Sequence, residues 1–142
     1  QRVKTRAIIS LLISLFEGND MEKLILFPAT IHIYIFVLES LLWGKKRTNK
    51  VFGINELDAH ATRLMAFNQG FYNLFLAVAL LLGLYLREMN VSPVMGKAFI
   101  FYGLGSMIAA GLVLLISSPR LWRAALIQIL PALLALYPFV RI

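Results

Sequence analysis

The chain has no cysteine. Disulfides, thiolate metal sites and cysteine nucleophiles are therefore excluded. Histidine is nearly absent, and His32 and His60 could supply at most two imidazole ligands. His32 and Glu39 lie seven positions apart, too far to hold one metal ion unless a third helix contributes. No metal site and no cofactor is expected. The sequence also lacks a phosphate-binding Walker loop, a dinucleotide glycine fingerprint, an HExxH helix and a nucleophile–base pair. Charge is scarce as well: 15% of the 142 residues, against about a quarter in an ordinary soluble domain.

Apolar side chains make up 60% of the chain, and the charges fall between long apolar runs rather than within them. Four runs are long enough, at about 1.5 Å per helical residue, to cross a hydrocarbon core of about 30 Å. They cover residues 24–43, 64–86, 98–117 and 121–140. Short connections join the later ones. The expected fold is all-α, a membrane-embedded antiparallel bundle of four transmembrane helices forming a single domain over residues 21–142. Gly105 with Ala109, and Ser106 with Ala110, form small-x-x-x-small pairs that would let helices approach. Pro131 predicts a kink in the last helix. Between the first two runs, Asn55 followed by Glu56 and Asp58 predicts a capped interfacial helix.

Residues 1–20 stand apart. Arg2, Lys4 and Arg6 precede a short apolar run, Ala7 to Phe16, with no small-x-small cleavage site after it. The run is too short to span. It reads as an upstream extension before Met21, or as a short interfacial helix.

The net charge is +7, and the basic residues cluster at the ends of apolar runs. Orientation in a bilayer and attraction to anionic headgroups account for that pattern. It is not the basic stripe of a nucleic-acid binder, so no nucleic-acid partner is expected. Membrane lipids are the expected partners, with a homo-oligomer open. Lys45, Lys46, Arg47, Lys50, Arg63, Arg120 and Arg123 gather at the first and third connections; Lys23, Arg87, Lys97 and Arg141 lie at the other end. That bias puts the first end in the cytoplasm and both termini on the extracytoplasmic side of the inner membrane.

Polar residues inside the runs are the chemical signal. Asn68-Gln69-Gly70-Phe71-Tyr72-Asn73 opens the second run, and Leu74 to Leu86 then continues without a charge. Glu39 lies roughly 6 Å inside the end of its run, and His32 roughly 16 Å. Gln128 lies at an intermediate depth on the fourth run. On an α-helix Glu39 and His32 are about 20° apart and share a stripe, whereas Tyr34 is about 140° from Glu39 and reads as packing or interfacial. The amide-bearing turn is polar over so much of its circumference that the second helix is expected to sit centrally. An ionisable group within a span is a functional candidate, so Glu39 and His32 are the catalytic candidates. Glu39, Asn68, Gln69, Tyr72, Asn73 and Gln128 are the candidate ligand-binding set. The competing reading is interhelical hydrogen-bonding glue, at about 1 kcal/mol each.

The segments Ile33-Tyr34-Ile35 through Leu38-Glu39, Val51-Phe52-Gly53, Asn68-Gln69-Gly70-Phe71-Tyr72-Asn73 and Gln128-x-x-Pro131-Ala132 resemble the domain of unknown function 1304 family of small bacterial membrane proteins. The resemblance implies a four-helix inner-membrane protein and groups Glu39, Asn68, Gln69, Tyr72, Asn73 and Gln128 as a recurring polar set. It brings no reaction or ligand. Ile31 stands where the family often has an acid, and Leu74 where it often has glycine.

Three functions remain open on these residues. One is a polar pocket that binds or acts on a small amphipathic or lipid-like ligand, with Glu39 as the acid/base or anchoring group. Another is a structural or accessory membrane subunit whose amides lock helices together. The third is a small oligomeric transporter.

Overall fold

The computed structural model describes residues 22–140; the expectation for residues 1–20 lies outside them. The described residues are helical, with no strand among them. Four helical segments are long and apolar enough to cross a membrane: Lys23–Leu41, Arg63–Glu88, Pro93–Ser117 and Pro119–Val140. The first segment is composite. A 3-10 turn, Glu22–Ile25, leads into α1, Leu26–Phe36, which ends in a π-helical turn, Val37–Leu41. Two short helices follow, α2 (Lys46–Phe52) and α3 (Glu56–Ala61). The long helices α4 (Arg63–Glu88) and α5 (Pro93–Ser117) come next. A 3-10 turn at Pro119–Leu121 leads into α6, Trp122–Val140.

Local chemistry sets the boundaries. Asn55 accepts a hydrogen bond from the Asp58 N–H at 2.8 Å and starts α3 as its sequence predicts. Gly53, at φ 64°, ends α2 in the left-handed region that glycine enters without a Cβ penalty. Ser92 and Pro93 open α5, with the proline in the first turn where its missing N–H costs least. The connection 42–62 holds two helices where one was expected. In sequence this connection shows a basic start and an apolar middle with turn residues, Val51 to Asn55, and no helix over 46–52. Thr48 and Asn49 are buried on the inner face of α2, while Lys46, Arg47 and Lys50 stay exposed.

The long helices form a ring. α4 packs against α1 and α5, α5 against α6, and α6 back against the first segment. The second membrane-length helix is thus a corner of the ring, not its centre as its polar turn implied. Asn68 and Tyr72 are exposed on its outer side. Asn68 sits only about 7–8 Å from the start of α4, near the end of the helix rather than its middle.

The core lies towards the end opposite α2 and α3. Ile25, Ala29, Leu80, Ile100, Leu104, Ala132 and Ala135 are at most 1% exposed there. Helices close on glycine: a Cβ built on Gly96 would stand 2.6 Å from the Gly83 carbonyl oxygen, and one on Gly103 would stand 2.7 Å from Leu80 Cδ2. The small-residue pairs singled out in the sequence do not serve this purpose. Gly105, Ala109 and Ala110 are exposed, and nothing lies within 4 Å of a Cβ on Gly105. Spacing alone identifies a small stripe but not which face it occupies. Outward faces carry Phe75, Val78, Val113, Ile116 and Leu134, an apolar surface suited to lipid. α6 runs unbroken through Pro131 and Pro138.

Candidate functional site

The other end of the bundle is hollow. A cavity of about 340 Å³ lies between the long helices, and Val51 and Phe52 of α2 line it together with Leu121 after the third connection. The first and third connections therefore share one end, which also bears exposed Lys45, Lys46, Arg47, Lys50, Arg63, Arg120 and Arg123. The walls are mostly apolar, with Ile31, Ile35, Leu114 and Ile127 among them. Four polar groups from three membrane-length segments line the same space: Glu39, Gln69, Asn73 and Gln128.

Glu39 reaches this space through two local features. Gly70 is the first. A Cβ there would collide with Ser40 Oγ and stand 3.1 Å from the Ser40 nitrogen and 3.2 Å from Glu39 Cβ. The missing side chain lets the end of the first segment press against α4. Ser40 Oγ then donates to the Phe67 carbonyl at 2.9 Å. One turn deeper, Asn73 Nδ2 donates to Glu39 Oε2 at 2.9 Å and to the Gln69 carbonyl at 3.1 Å.

The second feature is the π-helical turn. Leu42 N–H bonds to Val37 O at 3.0 Å, an i→i+5 link. More residues per turn mean less rotation per residue. Glu39 consequently lags behind its α-helical direction, away from His32 and towards Ile31 and Tyr34. This corrects two expectations. Tyr34 lines the cavity with Glu39 despite the 140° predicted for a regular helix. His32 does not share the stripe: it is fully buried and is not among the residues lining the cavity. Its Nδ1 lies 3.0 Å from the Pro28 carbonyl, so Nδ1 carries the donated proton and Nε2 is a buried acceptor without a partner among the described residues.

The other sequence candidates divide by face. Gln69 and Asn73 line the cavity; Asn68 and Tyr72, one position before each, point outward. Gln128 lines it from α6. Trp43 donates its Nε1–H to the Ala59 carbonyl at 2.9 Å and packs on Phe52 with ring centroids 5.0 Å apart. It fastens α2 and α3 over the hollow end. Sequence reasoning missed Val51 and Phe52 as cavity residues because their helix was not foreseen. Among the described residues, no three His, Asp or Glu side chains converge as metal ligands would.

A family model described as "Protein of unknown function (DUF1304)" matches residues 26–140. No curated protein and no solved structure matches the chain.

Proposed function

This chain belongs to the DUF1304 family of proteins of unknown function, and we propose that it is an integral protein of the bacterial inner membrane whose cavity binds, or acts on, a small amphipathic ligand. In this reading the basic end faces the cytoplasm and both termini lie outside. The observation that carries it is the gathering of Glu39, Gln69, Asn73 and Gln128 around one apolar-walled space of about 340 Å³. Ligand pockets have this character, with apolar walls and a few convergent polar groups, and volumes from about 300 Å³ upward. Glu39 is the anchoring or acid/base group, and the amides orient the ligand. The glue reading keeps one specific support, the Asn73–Glu39 bond, which joins two helices directly.

Binding is tested on the protein in lipid nanodiscs with three eight-carbon probes: octanol, octylammonium and octanoate. Saturable binding of at least one of them, lost in Ala124→Phe, which fills the cavity wall, supports the reading. No saturable binding of any probe overturns it and leaves the polar groups as glue.

A further inference from the structure

The polar lining of the cavity is unbalanced. Among the described residues that line it, Glu39 alone is ionisable near neutral pH; Gln69, Asn73 and Gln128 are neutral amides. Glu39 takes one hydrogen bond, from Asn73 to Oε2, and no cation of the described residues pairs with it. An ionised carboxylate offers about four acceptor positions, of which Asn73 fills one. The nearest amide is partly committed, since Asn73 Nδ2 is shared with the Gln69 carbonyl. On the opposite wall Ile127 lines the cavity, and Pro131, four residues on, has no N–H to give the Ile127 carbonyl. The lining thus sets one acid among neutral amides, with no cationic side chain beside it. The Tyr34 ring adds an aromatic face on the Glu39 side.

Size sets a second bound. At about 340 Å³ the cavity lies at the small end of ligand pockets and suits one polar head with a short apolar chain.

Building on the ligand-binding reading above, we infer that the ligand of this cavity carries an organic ammonium head, with Glu39 as its counter-ion and the apolar walls holding its hydrocarbon portion. A carboxylate amphiphile would set like charge against Glu39, and an alcohol would leave the acid without a cation. The basic residues at this end lie on its exposed exterior, whereas the lining carries only the acid.

The three-probe titration tests this separately from the cavity itself. In the wild-type protein octylammonium should bind at least about tenfold more tightly than octanol or octanoate, the scale of a hydrogen-bonded charge pair. Glu39→Gln should erase that preference, bringing octylammonium binding to the level of octanol. Octanol binding as tightly as octylammonium in the wild type overturns the ammonium inference and leaves the cavity reading standing. That comparison needs no variant, so it holds even if Glu39→Gln does not fold. Nanodiscs with and without phosphatidylethanolamine identify the source. Weaker octylammonium binding in the ethanolamine-containing discs assigns the head to a lipid; equal binding assigns it to a free amine. Octanoate binding best of the three contradicts the inference outright.

Discussion

The two ends of the bundle are built from the same four helices, but one is filled across the ring and the other is hollow. At the end bearing Gly83, Gly96 and Gly103, side chains are removed so that backbones touch, and Leu80, Ile100 and Leu104 fill what remains. At the end beneath α2, Gly70 brings the first segment against α4 and Gly111 brings α5 against α6, yet the space across the ring stays open. Glu39, Gln69, Asn73 and Gln128 sit where packing stops, whereas His32 is buried away from the cavity. Open space beside Glu39 is therefore a property of the arrangement, not a general looseness of a small bundle.

Breaking the packed end should have the largest effect. Gly96→Leu forces a side chain into the Gly83 backbone. It should cost about 3 kcal/mol or more, or abolish folding, measured as the unfolding midpoint in mixed micelles. A matched pair on α6 sharpens the contrast. Ala132→Phe, in the packed half, should cost about 1–3 kcal/mol, whereas Ala124→Phe, beside the cavity, should cost less than about 1 kcal/mol in the same assay. If both cost the same, the two halves do not differ as described. Trp43→Phe keeps the ring against Phe52 but removes the bond to Ala59, an expected loss of about 1 kcal/mol. Hydrogen exchange should rise mainly across residues 46–61. The smallest effect is expected for Glu39→Gln, whose side-chain oxygen can still accept from Asn73; its stability should change by less than about 1 kcal/mol. A large loss there would favour glue over ligand anchoring.

Much of the architecture was legible before the structure. Apolar run length marked the four membrane-length helices because a 30 Å core demands about twenty residues whatever their order. Asn55 marked the start of α3 through ordinary capping chemistry. What could not be read were features that depend on contact across the bundle. The π-helical turn that swings Glu39 towards Tyr34 leaves no periodicity in five residues. The role of Gly70 emerges only once Ser40 is known to lie against it. Neighbouring polar residues in the Asn68–Asn73 string look alike in sequence, yet Gln69 and Asn73 face the cavity while Asn68 and Tyr72 face out. A helix with polar residues on several sides suggested a central position; a corner near the membrane surface accommodates them equally well.

The cysteine-free chain allows the central contrast to be measured directly. Gln128 and Ala132 are one helical turn apart on α6, the first lining the cavity and the second fully buried in the packed half. Each is replaced singly by cysteine, and the rate of modification by a small water-soluble methanethiosulfonate is followed in nanodiscs. Gln128→Cys should react at least about tenfold faster than Ala132→Cys, as expected where one site is open and the other close-packed, and saturating amphiphile should slow it. Equal rates at the two positions, or a Gln128→Cys rate that no amphiphile alters, would contradict the account.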